Sequence, residues 1–112
     1  MADKVFKLTE DDIKELISPM GFGYVSDKIT VEGMKVGFMY REKPEQKNDS
    51  GWRFFSGTED IAYSDDHNNI EAFDVNVIAN FDPAIIPYLK TAHPNDLERV
   101  KGTDEFIIVT DE

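Results

Sequence analysis

The feature that most constrains the fold is a pair of apolar-rich runs of strand length with a polar segment between them. The first run covers residues 31–41 and the second covers residues 50–57, and Pro44 and Asn48 lie in the segment that joins them. Two such runs separated by polar, turn-forming residues are typical of an antiparallel hairpin with a long loop. We therefore predict that this hairpin is the centre of the fold.

The alternation of side chains along a strand predicts how the hairpin packs. In the first run Val36, Phe38 and Tyr40 fall on one face, because successive side chains point to opposite sides of a strand. In the second run Trp52 and Phe54 share a face for the same reason. Cross-strand aromatic pairs stabilise a sheet, so we predict that these two sets of side chains lie opposite one another.

Helix signals lie on both sides of the hairpin. Thr9, followed by three acidic residues and then by apolar residues at helical spacing, predicts an amino-terminal helix over residues 9–17. Asp74 is a helix-capping residue, and Asp82 before a proline is a second one. We therefore predict two short helices before the last strand.

The rest of the chain completes an α+β prediction. Residues 58–69 and 93–102 are polar and predict loops, whereas residues 105–110 predict a last strand that pairs inside the sheet. This order of elements is typical of an α+β fold with a mainly antiparallel sheet built on the hairpin. At 112 residues the chain is long enough for one core, so residues 1–112 are expected to form a single domain.

The composition excludes several classes of protein. The chain has no cysteine, which excludes disulfides and thiolate metal sites and fits a reducing compartment. We find no apolar run of the length of a signal peptide or of a membrane span. A cytoplasmic protein without a membrane partner is therefore expected.

Acidic residues are concentrated in the second half of the chain. The net charge is −11, and residues 58–112 hold thirteen acidic and three basic side chains, against ten and nine in residues 1–57. Such a surface repels nucleic acid and anionic membranes and attracts a basic partner. The alternative is that the acids only keep the protein in solution.

The cluster with the most metal-like chemistry is Asp65-Asp66-His67. Carboxylates and imidazole bind zinc, iron or manganese, but a site needs three or four converging ligands, and only His93 is available elsewhere as a second histidine. No serine lies in a nucleophile elbow. We therefore predict no catalytic residue, no metal and no cofactor, and keep a small enzyme or metal-dependent protein that uses surface carboxylates as the alternative.

Four segments together resemble one small bacterial family. They are Val25-Ser-Asp-Lys-Ile-Thr-Val, Gly37-Phe-Met-Tyr-Arg-Glu, Asp49-Ser-Gly-Trp-Arg-Phe-Phe-Ser-Gly and the stretch from Asn69 through Asp74-Val-Asn-Val-Ile-Ala-Asn-Phe-Asp-Pro-Ala-Ile-Ile-Pro. The family was first listed as a domain of unknown function and was later grouped as the immunity protein thirty-three type. The resemblance spans about residues 24–90. It implies a non-enzymatic protein that binds and neutralises a bacterial toxin domain, and it offers no catalytic residues.

The partner surface is expected on the acidic segment, residues 59–74. This segment holds six acids and no Lys or Arg, and the apolar runs on either side of it are expected to keep it rigid. The loop at residues 48–50 is a second candidate contact. The side chains predicted to bind the partner, possibly a basic toxin domain, are Glu59, Asp60, Asp65, Asp66 and Asp74.

Overall fold

The computed structural model describes residues 4–109, which form a six-stranded sheet with short helices. The order of strands is β4-β1-β3-β2-β5-β6, and every neighbouring pair is antiparallel except β1 with β3. The predicted α+β class with a mainly antiparallel sheet is confirmed. The strands are β1 (Phe22–Ser26), β2 (Phe38–Arg41), β3 (Asp49–Phe55), β4 (Ile70–Asp74), β5 (Asn95–Arg99) and β6 (Phe106–Val109).

The helices are all short, and capping side chains fix where several of them begin. Asp74 accepts a hydrogen bond from the Asn76 amide at 2.9 Å, and Asp82 accepts one from the Ala84 amide at 3.2 Å, so the two predicted helices before the last strand are confirmed. The α-helices are α1 (Asp27–Thr30), α2 (Ile61–Asp65) and α3 (Val75–Phe81), and the 3-10 helices are Glu10–Asp12, His67–Asn69 and Pro83–Tyr88.

The hairpin is present, but the predicted pairing of its faces is wrong. Strand β2 covers only Phe38–Arg41, and its register on β3 sets Phe38 opposite Phe55 and Tyr40 opposite Arg53. Met39, and not one of the residues Val36, Phe38 and Tyr40, lies opposite Phe54. A shift of one residue in register moves every side chain of a strand to the other face, and the alternating pattern alone did not fix that register.

The core lies on one face of the sheet. Met39, Trp52 and Phe54 are completely buried there, against helix α3 and the 3-10 helix Pro83–Tyr88. The indole Nε1–H of Trp52 donates to the carbonyl of Leu89 at 3.0 Å, so its one polar group is satisfied in the core. Glycine is required at position 51, where φ is +87° and a Cβ would collide with the carbonyl oxygen of Glu42.

The predicted amino-terminal helix is a single 3-10 turn. Thr9 and Asp12 form the expected capping box, but the helix stops at Asp12. After the turn, the Lys14 amide donates to Asn80 at 3.0 Å and the Leu16 amide donates to Asn76 at 2.7 Å. These side chains of α3 satisfy the backbone in an extended path, and a helix needs the same amides for its own bonds.

Two predicted loops contain regular structure, and the last strand is at an edge. Residues 58–69 hold helix α2 and a 3-10 helix, and residues 93–102 hold strand β5, which pairs with both β2 and β6. Only Leu97 of β5 is buried, so hydrophobic periodicity gave too weak a signal for a strand. Among the strands of residues 4–109, β6 pairs only with β5, and its Ile107 is 57% exposed. Thr110 of the predicted strand lies outside the described residues.

We predict that Trp52→Ala lowers the free energy of unfolding by about 3 kcal/mol, because it leaves a large cavity at a completely buried position. Denaturant unfolding followed by circular dichroism measures this. Ile61→Ala is the control, since Ile61 is 82% exposed and its truncation should change stability by less than about 0.5 kcal/mol. Equal unfolding midpoints for the two variants would show that Trp52 is not a core residue.

We predict that Asn76→Ala loosens residues 14–17 without unfolding the sheet. The Asn76 side chain accepts from the amides of Leu16 and Ile17 and donates to the carbonyl of Lys14, and each such bond contributes roughly 1 kcal/mol. Hydrogen exchange should become faster at residues 16 and 17 and stay unchanged in β3. Asn68→Ala, a change at an exposed asparagine, is the control and should leave both regions as they are.

Candidate functional site

The face of the sheet opposite the core carries a set of aromatic side chains. Because Val25, Met39 and Phe54 point into the core, their neighbours along the strands point the other way. Arg53 follows the same rule, since it lies between Trp52 and Phe54 in β3. We call this surface the open face, and its aromatic side chains, all half-buried, are Tyr24, Phe38, Tyr40 and Phe55.

The rings on the open face are packed against one another. Tyr40 and Phe55 are stacked, with ring centroids 6.1 Å apart and an angle of 4° between the planes. Phe38 and Tyr40 follow along β2, with centroids 6.0 Å apart. Each ring is therefore held by its neighbours, so this surface is formed before any partner arrives.

Two adjoining cavities open on this face and make one groove. The first has a volume of about 530 Å³ and the second a volume of about 360 Å³, and they share Tyr40, Phe55 and Ser64. We call the pair the aromatic groove. The first cavity is also lined by Gly37, Phe38, Gly57, Glu59 and Glu98, and the second by Tyr24, Glu42, Glu45, Arg53, His67 and Ile70.

A buried ion cluster supports the second cavity from below. Arg53 donates to both carboxylate oxygens of Asp49 at 2.9 Å and to Glu42 at 2.7 Å, and its guanidinium lies 4.6 Å from the centroid of the Tyr24 ring. The bonds from Arg53 hold the pKa of Asp49 far below its usual range. Burial alone would lower the pKa of Arg53, but its bonds to Asp49 and Glu42 raise it. In this cluster two carboxylates surround one guanidinium, so the positive charge of Arg53 under the groove is already paired.

Carboxylates line the walls of the groove. Glu59 is half-buried and accepts from the amides of Ser56 and Gly57, each at 2.9 Å. Burial raises the pKa of Glu59, but these bonds outweigh burial and lower it overall, so the side chain is charged at neutral pH. Burial and the charge of Glu42 raise the pKa of Tyr40, whose phenol therefore stays neutral there.

The structure brings some of the predicted partner-binding acids to the groove and leaves others apart. Glu59 lines the first cavity. Asp60 caps α2 by accepting from the Tyr63 amide at 2.7 Å, and Asp66 caps the following 3-10 helix by accepting from the Asn68 amide at 2.9 Å. These caps are exposed and lie beside Ser64, which lines both cavities.

The two remaining acids differ in position. Asp65 is exposed at the end of α2, next to the groove. Asp74 caps α3 and pairs with Phe22, at the opposite end of β4 from Ile70, which lines the second cavity. Asp74 is therefore on the same edge of the sheet but outside the groove.

The second candidate contact, residues 48–50, is mostly buried. Asp49 is 6% exposed and Ser50 is 3% exposed, and only Asn48 presents its side chain to solvent. Asp49 is held by Arg53, so it belongs to the ion cluster and cannot also contact a partner directly.

Between residues 4 and 109, no three His, Asp or Glu side chains are placed so that they could hold a metal ion together, and this includes Asp65, Asp66 and His67. Over the same residues, no helix has the length and apolar character that crossing a membrane requires.

The aromatic groove itself was missed by the sequence analysis. Phe38 and Tyr40 were expected in a packed aromatic cluster with Trp52 and Phe54. No binding role was predicted for Phe55, which alternation along the strand places with Arg53 on the other face. Arg53, a charged residue between two aromatic residues, could have indicated the open face. Its side chain must point to the face of the strand opposite a buried tryptophan.

The fold and the groove define a small α+β protein with an exposed aromatic surface between carboxylates. Its sequence matches the model of the family described as Immunity protein Imm33 domain over residues 23–110, so the resemblance extends beyond residue 90 and includes β5 and β6. The chain belongs to this family, which supports an immunity-type function and a protein partner. Searches of curated proteins and of solved structures gave no match.

We predict that Asp49→Asn destabilises the fold by about 3 kcal/mol at neutral pH, because it leaves the buried guanidinium of Arg53 without its main partner. The depressed pKa gives this effect a pH dependence. The stabilisation from Asp49 is complete above the ordinary aspartate pKa of 3.8 and declines as the pH falls from there towards the lower pKa of the folded state.

Denaturant unfolding of the parent and of Asp49→Asn between pH 7 and pH 2 measures this. The difference in stability should shrink as the pH falls below the ordinary aspartate pKa. Asp96→Asn, at an exposed position of β5, is the control and should follow the parent throughout. A difference that is the same at every pH would contradict the role given to the Asp49 charge.

Proposed function

We propose that this protein is an immunity protein that binds a basic toxin domain and blocks it by occupying its surface, without chemistry of its own. The partner surface is the aromatic groove together with the acidic segment, residues 59–74. Membership of the Imm33 family supports the immunity-type function. The class of partner and the surface are inferred from the charge and shape of the molecule.

The observation that carries this proposal is the open face with its four aromatic side chains. Half-buried aromatic rings that are already packed, and that adjoin cavities of about 530 and 360 Å³, bring large contact area with little loss of conformational entropy. Protein interfaces are enriched in tyrosine and phenylalanine for this reason. The groove therefore supplies the apolar centre of an interface, and the carboxylates supply its polar rim.

The charge of the acidic segment supports a basic partner. Asp60 and Asp66 are fixed by their capping bonds, and Glu59 is fixed by Ser56 and Gly57, so binding costs little ordering of these side chains. Fixed acids around a groove attract a basic surface from a distance and raise the association rate, most strongly at low salt. A nucleic acid or an anionic membrane is repelled by the same charge.

We place this activity in the cytoplasm, where an immunity protein would meet a toxin that enters or is made in the cell. The alternative, a small enzyme or metal-dependent protein that uses surface carboxylates, gains no support from the family match. His67 lies in the wall of the second cavity, and in the proposed function it is a contact residue and not a metal ligand.

The direct test is neutralisation of a toxin. A candidate toxin domain, sought first among the genes that neighbour this one, is expressed in a sensitive bacterium with and without this protein, and growth is recorded. We expect growth to be restored by the parent and a stable complex to form from the purified components. A toxin that binds nothing and stays lethal would overturn the proposal.

We predict that the variant with Glu59→Gln, Asp60→Asn, Asp65→Asn and Asp66→Asn binds the toxin with an association rate at least tenfold lower at low salt, with the difference vanishing at high salt. Asparagine is also a good helix cap, so the helix starts at 60 and 66 are retained. Stopped-flow or surface-based kinetics at several ionic strengths measure the rate.

The matched control removes four other exposed acids, with Asp11→Asn, Glu15→Gln, Glu32→Gln and Glu105→Gln, and so changes the net charge by the same amount. We expect its association rate to stay close to that of the parent. If both variants are slowed alike, the effect is due to total charge and the segment has no special role.

A further inference from the structure

Each arginine of the chain is bound in the same way within the molecule. Its guanidinium lies over an aromatic ring while carboxylate or carbonyl oxygens accept its N–H groups. Arg53 lies 4.6 Å from the centroid of Tyr24 and is bonded to Asp49 and Glu42, and Arg99 lies 4.8 Å from the centroid of Phe106 and is bonded to Asp82. Arg41 lies 5.6 Å from the centroid of Trp52 and donates to three backbone carbonyls, of Ser50, Leu89 and Thr91.

The first cavity of the aromatic groove presents the same two components. Its aromatic part is Phe38, Tyr40 and Phe55, and its acidic part is Glu59 and Glu98. The cation–π contacts found within residues 4–109 use none of these three rings. No Lys or Arg of the described residues lines this cavity, whereas Arg53 lines the second one.

Of the two carboxylates in the first cavity, Glu98 is the one whose charge is not already bonded within the described residues. It is exposed on β5 opposite Phe38, and within the described part of the chain it takes part in none of the ion pairs or side-chain hydrogen bonds. Glu59 is already bonded to Ser56 and Gly57 but keeps its negative charge. The nearby Lys28 donates to Thr58 and lies over the ring of Tyr63, 5.1 Å from its centroid.

We infer that the first cavity receives an arginine side chain of the protein partner, with its guanidinium against the rings of Phe38, Tyr40 and Phe55 and paired with Glu98. This deepens the proposed function and rests on it for the partner. Arginine fits better than lysine, because a guanidinium is planar, weakly hydrated and able to stack on a ring while it bonds a carboxylate. A volume of about 530 Å³ also admits the residues that flank the arginine.

The test needs no toxin. Protein labelled with ¹⁵N is titrated with the peptide acetyl-Ala-Arg-Ala-amide, with its lysine analogue, and with the analogue that carries citrulline, a neutral group of the same shape. We expect the arginine peptide to shift the amide signals of Gly37, Phe38, Tyr40, Gly57 and Glu98, the lysine peptide to bind several-fold more weakly, and the citrulline peptide to have no effect.

Glu98→Gln should weaken binding of the arginine peptide at least threefold. Glu105→Gln removes the same charge from an exposed site outside the groove and should not weaken it. Tyr40→Leu should weaken it as well, with its unfolding curve recorded to show that the sheet is intact. Equal affinity for the arginine and lysine peptides, shifts caused by citrulline, signals scattered over the acidic surface, or equal effects of the two glutamate changes would each overturn the assignment.

The two proposals can fail separately. If a toxin is neutralised but binds parent and Glu98→Gln with equal affinity, the arginine assignment is wrong and the immunity function stands. If no toxin is neutralised, the proposed function is wrong, and the peptide titration still decides whether the cavity takes a guanidinium. We expect Glu98→Gln to lower the affinity for a cognate toxin about tenfold relative to Glu105→Gln.

Discussion

The ion pair between Arg53 and Asp49 joins the open face of the sheet to the turn that precedes strand β3. Asp49 begins β3 and binds Arg53 four residues later, while Glu42 reaches the same guanidinium from the end of β2 and Tyr24 lies beneath it from β1. Both main partners are almost completely buried, so the pair is stable only because nearly all of its donors and acceptors are bonded. Three neighbouring strands are thereby fixed at one point.

Strand β3 separates the core face of the sheet, which stabilises the fold, from the open face, which lies outside the core. Trp52 and Phe54 take the core face and bury completely, whereas Arg53 and Phe55 take the open face, where the neighbouring strands add Tyr24 and Tyr40. The helices after Asp74 and Asp82 supply enough apolar surface to cover one face. The open face keeps its aromatic residues half-buried, and helix α2 borders it with acids that also begin helices.

Local chemistry explains what the sequence predicted well. The caps Asp74 and Asp82 and the hairpin depend on neighbours in the chain, and all of them are present. The predictions that failed concern segments whose conformation depends on residues distant in the chain. Asn76 and Asn80 take the amides that a helix over residues 9–17 would use, and β5 is a strand because β2 and β6 lie on either side of it. The groove was missed because the hairpin register, one residue away from the assumed one, decides which aromatic rings are exposed.

Strand β6 ends the sheet, and no other strand of the described residues pairs with its outer side, where Ile107, Ile108 and Val109 are 57%, 51% and 41% exposed. An apolar edge strand without a charge or a proline is the kind of surface on which strands of separate molecules join into larger sheets. Copies of this chain each carry a net charge of −11 and repel one another before their edges can meet. The negative charge thus also opposes association of copies through this edge strand. Added salt shortens the range of the repulsion to within a few ångströms of the surface.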